Sequence, residues 1–438
     1  MTHYVPHGST ARAIATDIEL AITEGRLGRG EALPPVRKTA LELAVSPSTV
    51  NAAYQTLRRR GLVISQGRRG QRVSPRPVVA GRPALVVPNG VRDLCNGNPD
   101  PSFLPPLEWA LAGAPLGTPL YGQAMAFAPL LNHSAQDFAS SGVATDHLTV
   151  VNGALDGIDR ILSTYLRPGD GVLVEDPTYA ELIDLLHAMG LTPVGVPLDE
   201  NGPLPGDFAA ALEHVRAVVL TTRAHNPTGT LLSPERAKQL SEQMVGYPDL
   251  LVVDNDYNAI TIESPYTLVT KSQPRWAVVR SLSKALGPDL RIAMVTGDAT
   301  TITQVESRQR ISAGWVSHIL QQIAFRLWTA PGTAERVQHA TNAYADRRQA
   351  LIAALSDRGI TAHGSSGLNV YIPVDQEAAV TQSMLAKGWA IRPGEGYRIN
   401  TRQPFVRITT STLTPDEAPH VAEDLFTILG GNSFTKHG

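Results

Sequence analysis

The stretch SLSKALGPDLR, residues 281–291, decides how most of this chain is read. It holds Lys284 between the hydroxyls of Ser281 and Ser283, with Arg291 seven residues on and Gly287-Pro288 imposing a loop between them. A lysine amine condenses with an aldehyde to a Schiff base, and does so readily when partly desolvated beside cationic or polar groups. Two hydroxyls and a guanidinium are the donors that a phosphate monoester takes. Among cofactors, an aldehyde that carries a phosphate is pyridoxal 5'-phosphate. A lone lysine is far more often a solvated surface group, so the spacing to Ser281 and Arg291 carries this reading.

Composition bounds the rest. At 438 residues, with 42% hydrophobic and 18% charged residues, the chain is expected to form two or three soluble globular domains. The single cysteine, Cys95, excludes an internal disulfide and fits a reducing cytoplasm. No run of about 18 apolar residues occurs, and MTHYVPHGST lacks the basic start and apolar middle of a signal peptide. Neither a membrane partner nor a metal is expected. The net charge of -2 is unevenly shared: up to Arg76 there are twelve Lys/Arg against five Asp/Glu, and beyond it twenty-six against thirty-five. A basic head on an acidic body points to a polyanionic partner for the head alone.

Within the head, STARAIATDIELAITEGRL (9–27) has a Ser/Thr cap and apolar residues at helical spacing. LPPVRKTALELAV (33–45) reads as a short second helix, SPS as a tight turn, and TVNAAYQTLRRRGL (49–62) as a third helix with Val50, Ala53, Tyr54 and Leu57 inward. VISQGRRGQRV (63–73) alternates around glycines like a two-stranded wing with a basic tip. This order is the winged helix-turn-helix. Ser46, Ser48, Thr49 and Asn51 would then enter the major groove of double-stranded operator DNA, and Arg37, Arg68 and Arg69 would reach phosphates or the minor groove. The bland alternative is a three-helix packing module with a basic surface. The segment LPPVRKTALELAVSPSTVNAAYQTLRRRGLVISQGRRG resembles the GntR type of bacterial DNA-binding domain, over residues 10–73.

The domains are expected at 1–73 for the head, 74–90 for a proline-rich linker and 91–438 for the body, with a large part over about 120–330 and a small part from about 335. The body alternates helices with apolar strands, the pattern of an α/β domain with a largely parallel sheet. Candidate strands are LTVVNG, GVLVEDP, TPVGVPL, AVVLTT, LLVVDND, AVVRSLS and AMVTG. In such sheets the ligand sits beyond the carboxyl ends of the strands.

Those strand ends collect a candidate site. Gly153 and Ala154 stand at a helix start, where backbone N–H groups hold phosphate. EDPTY (175–179) delivers Tyr179 for stacking on a pyridine ring. HNPTG (225–229) aims the Asn226 amide into the crevice, toward a phenolate oxygen that Tyr257 of DNDY (254–257) is placed to share. FVRITTS (405–411) offers Arg407 to a carboxylate. Each residue alone is more often structural; their convergence is the signal.

The ordered series NG…EDPTY…HNPTG…DNDY…SLSKALGPDLR…VRITTS resembles the fold-type I PLP proteins, the aspartate aminotransferase fold, from about Asp93 to Leu429. The resemblance implies Lys284 as the Schiff-base lysine and Ser281, Ser283 and Arg291 as the phosphate cup. It implies Tyr179 as the stacking ring, Asn226 and Tyr257 at the phenolic oxygen, and Arg407 for an α-carboxylate. LYG (120–122) resembles the segment whose tyrosine, here Tyr121, reaches the phosphate of the neighbouring subunit, which implies a homodimer with composite sites.

A GntR head on such a body is the architecture of the MocR/GabR regulators. RAHNPTG, SLSKALGPDLR and WVSHILQQ look like the PtsJ-type members, which are linked to vitamin B6 metabolism. Two departures stand out. Counting back from Tyr257 as in the regulators gives Asn255 for the pyridine nitrogen, whereas the spacing of many aminotransferases gives Asp254; an asparagine would weaken the electron sink. Leu155 and Asp156 also follow the phosphate-binding glycine where glutamine is common. The expectation is a dimeric, cytoplasmic, PLP-dependent transcriptional regulator that senses PLP or an amino compound, with no catalytic residue beyond Lys284. The alternative is a catalytically active aminotransferase with a DNA-binding head, separated from the first by turnover.

Overall fold

The computed structural model describes residues 4–28, 30–59, 62–65, 70–74, 86–111, 117, 119–256, 267–269 and 273–430. Arg68, Arg69, Tyr257 and linker residues 75–85 lie outside the described residues. Head and body are two compact units.

The head contains α1 (Ala11–Thr23), α2 (Val36–Glu42) and α3 (Pro47–Arg59), then β1 (Val63–Ser65) and β2 (Gln71–Val73) in an antiparallel wing. Thr10 caps α1 by accepting from the Ala13 amide, which supplies one of the donors that a helix start leaves unpaired. Ile14, Ile18, Val50, Ala53 and Leu57 are fully buried and define one core. The hydroxyl of Tyr54 in that core donates to the Pro34 carbonyl at 2.8 Å and meets Thr39 Oγ1 at 3.2 Å. Helices α2 and α3 start at Val36 and Pro47, after Pro35 and Ser46.

Strand β3 (Arg92–Asp93) opens the body, and a large sheet follows from β4 (Leu148–Val151), β5 (Gly171–Asp176), β6 (Thr192–Asp199), β7 (Gly202–Pro203), β8 (Ala217–Leu220), β9 (Leu251–Asp256), β10 (Arg275–Ser281) and β11 (Ala293–Gly297). Their order is β4-β11-β10-β9-β8-β5-β6-β7. Pairing is parallel from β10 through β9, β8 and β5 to β6, while β11 runs antiparallel to both neighbours. All seven strands expected from sequence are present. Central strands are buried on both faces and therefore read as continuous apolar runs.

The two faces carry different partners. On one, Gly157 of helix Ala154–Tyr165 sits so close to Val151, Val295 and Val279 that a Cβ would come within 3.1, 3.3 and 3.6 Å of them. The other face packs Val278, Met294 and Val150 with Phe138 and Leu130, and Val252, Val218 and Leu220 with Phe208 and Leu240. Side chains alternate along a strand, so odd-numbered residues of β9 and β10 face the helix 154–165 side.

The C-terminal part has β12 (Asn369–Pro373), β13 (Trp389–Ala390), β14 (Arg392–Pro393) and β15 (Phe405–Thr409), with an antiparallel sheet in the order β12-β15-β14. Strand β13 pairs with β3, so the start of the body is fastened to its end. Leu351, Val370, Ile408 and Leu425 centre this core. Among the described residues no helix is long and apolar enough to cross a membrane.

Candidate functional site

Strand β10 ends at Ser281, and a single helical turn, Ser283–Leu286, carries Lys284 beyond it. The amine donates to the Gly97 carbonyl at 2.5 Å. Burial, reinforced by the Arg407 guanidinium, brings its pKa down from 10.5 to about 8, because an enclosed ammonium loses hydration and a second cation disfavours the charge. Ser281 Oγ accepts from the Ser283 amide at 3.3 Å and tightens the turn. Arg291 then takes a left-handed φ of 50° and folds back on Gly153. A Cβ at Gly153 would stand 2.9 Å from Arg291 Nη2 and 3.2 Å from Cζ. Gly153, at φ 94°, is the cap of helix Ala154–Tyr165. An exposed guanidinium without an ion pair among the described residues thus meets the unpaired N–H groups of a helix start, the electrostatics that a phosphate requires. The carboxylate of Asp156 is turned from this spot, accepting from the Asn152 amide at 3.0 Å and pairing with Arg160 at 2.9 Å.

Arg407 is almost fully buried on β15. Its Nη1 donates to Asn226 Oδ1 at 2.8 Å and to the Tyr397 hydroxyl at 2.7 Å, and its Nη2 donates to the Cys95 carbonyl. Its Nε has no partner among the described residues. A planar guanidinium fixed on three sides with a buried donor left over is preorganised for one further acceptor, and a carboxylate suits it. The fixed Oδ1 of Asn226 leaves its amide nitrogen free to donate. Residues 95–97, just after β3, lie over both Lys284 and Arg407.

At the tip of β9 three consecutive side chains have different fates. Asp254 accepts from Thr222 Oγ1 (2.9 Å), Thr267 Oγ1 (2.9 Å) and the Leu268 amide (3.1 Å). Burial and the charge of Asp256 push its carboxyl up to about 6. Asp256 receives Arg223 on one oxygen at 2.6 Å and Arg280 on the other at 2.6 Å, tying the ends of β8, β9 and β10. Asn255 is paired in register with Val279 and so lies on the helix 154–165 face. Its Nδ2 reaches Thr221 Oγ1 at 3.4 Å, and its Oδ1 is buried without a partner among the described residues.

The structure therefore brings together Lys284, Ser281 and Ser283, joins Gly153 to Arg291, and joins Asn226 to Arg407. Tyr179 sits at the start of helix Ala180–Ala188. Tyr121 is 90% exposed, edge-on to Trp315 at 5.4 Å. The segment carrying Tyr121 is held by Gln321, which accepts from the Phe127 amide at 2.7 Å, and by Gln322, which accepts from the Gly117 amide at 2.9 Å. In the head, Ser46 differs from expectation: its hydroxyl accepts from the Thr49 amide at 3.1 Å and meets Ser48 Oγ at 2.6 Å and Thr49 Oγ1 at 2.8 Å. It thus caps the start of α3. Arg37 and Asn51 are exposed, with no side-chain hydrogen bond to other described residues.

Four features of the body fit pyridoxal 5'-phosphate: an amine of lowered basicity, a phosphate cup, a carboxylate clamp and an unpaired polar atom on the helix 154–165 face. Together they define a fold-type I aminotransferase body, here behind a winged helix-turn-helix head. The family model for aminotransferases of class I and II matches residues 119–425, and that for bacterial regulatory proteins of the gntR family matches residues 10–73. The chain is 37% identical over 431 residues to the vitamin B6 salvage pathway transcriptional repressor PtsJ of Salmonella typhimurium, covering 96% of this chain and 99% of that protein. It superposes on kynurenine aminotransferase from Pyrococcus horikoshii with a TM-score of 0.71 at 20% identity, over 78% of this chain and 92% of that one. An alpha-aminoadipate aminotransferase from Thermus thermophilus, solved with N-(5'-phosphopyridoxyl)-L-leucine, gives 0.69 at 22% identity, over 78% and 93%. The chain belongs to the regulators that join a GntR head to a pyridoxal-phosphate-type aminotransferase body.

Proposed function

We propose that this chain is a cytoplasmic transcriptional repressor that binds operator DNA as a homodimer and senses pyridoxal phosphate or an amino compound. The observation that carries the reading is the full-length likeness to a vitamin B6 salvage repressor, and the enclosed Lys284 amine with Arg291 against Gly153 supports it. When bound, the cofactor supplies an electron-withdrawing ring and an aldehyde that carries amines. Lys284 holds it covalently, as an amine poised near neutral pH. Ser281, Ser283, Arg291 and the helix start at Gly153-Ala154 take the phosphate, Tyr179 covers the ring, and Asn226 with Tyr257 takes the phenolic oxygen. Arg407, oriented by Asn226, Tyr397 and the Cys95 carbonyl, takes the carboxylate of an amino compound. Tyr121 reaches the partner's phosphate, which fits its exposure.

In the head, Ser48, Thr49 and Asn51 read base edges from the start of α3, and Arg37, Arg68 and Arg69 hold phosphates. Binding alters DNA affinity to the extent that ligand favours one arrangement of the dimer. The test is fluorescence anisotropy with DNA from upstream of the protein's own gene, with and without pyridoxal phosphate. Specific, salt-sensitive binding that the cofactor shifts at least about tenfold is expected. Equal affinity for that DNA and for scrambled DNA would refute the regulator. Steady transamination near an ordinary enzyme's rate, about 10 per second, would favour the aminotransferase instead.

A further inference from the structure

Pyridoxal-dependent electron withdrawal is strongest when the ring nitrogen is protonated, and a carboxylate facing that nitrogen keeps the proton there. Four buried carboxylates, Glu175, Asp176, Asp254 and Asp256, lie near the strand ends, and each is committed elsewhere: Asp176 accepts from the amides of Ile399, Asn400 and Thr401. Asp254 lies with Val278 on the face opposite helix 154–165 and is filled by two hydroxyls and an amide. Asp256 is filled by Arg223 and Arg280. Glu175 accepts from the Thr221 amide at 2.5 Å and from Thr178 at 3.4 Å, and burial pushes it up to about 7. His225, 3.9 Å from Glu175, is pushed down to about 3 by burial and adds no charge at neutral pH.

On the cofactor's face the strand offers Asn255 alone, with one buried oxygen unpaired and its nitrogen at Thr221. An amide can present either end, and a threonine hydroxyl can donate or accept. With the amide turned over, Thr221 donates to Oδ1, and Nδ2 is left to donate to a ring nitrogen that carries no proton. Both buried groups are then satisfied. The other orientation would need a buried pyridinium with no carboxylate beside it, in a site that already holds Arg291 and Arg407.

We propose that Asn255, with Thr221 behind it, holds the cofactor's ring nitrogen in its unprotonated form, so that the site binds amines and carboxylates without efficient carbanion chemistry. The inference rests on cofactor attachment at Lys284.

The test is ¹⁵N NMR of the full-length protein loaded with pyridoxal phosphate labelled at the ring nitrogen. A resonance at the free-pyridine position is expected across pH 6–8, moving upfield to the pyridinium position in Asn255→Asp. A pyridinium resonance in the unaltered protein at pH 7.5 overturns the proposal and leaves the regulator reading standing. Absence of a visible cofactor band that depends on Lys284 sinks both. As a second readout, Asn255→Asp should speed the single-turnover half-reaction with amino acids at least tenfold. An unchanged rate beside a shifted resonance would also refute the functional part.

Discussion

Lys284 yields a prediction whose size follows from its surroundings. Its pKa of about 8 puts about 3% of the amine in the nucleophilic form at pH 6.5, about 24% at pH 7.5 and about 76% at pH 8.5. An ordinary lysine at 10.5 would offer about 0.01%, 0.1% and 1% at the same pH values. The sign is that of a lowered ammonium pKa: attachment is suppressed below pH 8 and complete above it. Stopped-flow absorbance of the apoprotein with excess pyridoxal phosphate should therefore show the rate rising about 25-fold between pH 6.5 and 8.5, then levelling off. Arg407 is the second cause of the shift after burial, so Arg407→Leu should move the midpoint to higher pH, while Lys284→Ala should abolish the visible band. A rate still climbing tenfold per pH unit through pH 9.5 would mean the amine is not enclosed as described, and the mechanism of attachment would fall.

Three further outcomes follow from particular contacts. Asp256→Asn leaves the buried Arg223 guanidinium without its carboxylate and Arg280 with Asp137 alone; urea denaturation should show a loss of about 3–5 kcal/mol, and a loss under about 1 kcal/mol would contradict the tying of β8, β9 and β10 through Asp256. Ser46→Ala should cost the head about 1 kcal/mol through its lost cap, whereas Asn51→Ala should leave thermal stability unchanged and remove sequence-specific binding in the anisotropy assay. Gly153→Ala forces a methyl group to within 2.9 Å of Arg291 at a φ of 94°, so equilibrium titration should show pyridoxal phosphate affinity falling at least about tenfold, with the α-helical circular dichroism retained.

Much of this was legible in the chain because the signals are local. Seven apolar runs ending in polar residues gave seven strands, and the enclosure of Lys284 at the end of β10 follows from one of them. What escaped has common causes. Backbone carbonyls at Cys95 and Gly97 leave no side-chain signature, so the segment over Lys284 and Arg407 was not seen. Tyr397 lies ten residues before Arg407 in sequence, and its contact comes from the turn between β14 and β15. The choice between Asp254 and Asn255 could not be made by counting, since a one-residue slip exchanges the two faces of a strand. Thr267 and Leu268, thirteen and fourteen residues further on, engage Asp254 on the face opposite helix 154–165, which is the contact that supports the proposed role of Asn255. The capping role of Ser46 was hidden because capping and groove contact favour the same residue types at a helix start.

The architecture has a thermodynamic logic. A sensor moves a two-state equilibrium from 1:99 to 99:1 only if its ligand prefers one state by about 10⁴-fold, about 5.5 kcal/mol, and a ligand that grips a single rigid element supplies no such preference. Here the grip is divided. Lys284 follows β10 and Asn226 follows β8 in the large sheet, while Arg407 belongs to β15 of the small one, and the Asn226–Arg407 hydrogen bond spans the two. A molecule bonded at Lys284 with its carboxylate on Arg407 would favour the arrangement in which both sheets meet it. Turnover would destroy that molecule and with it the signal, so an asparagine facing the ring nitrogen is what a binding device built on a catalytic fold requires.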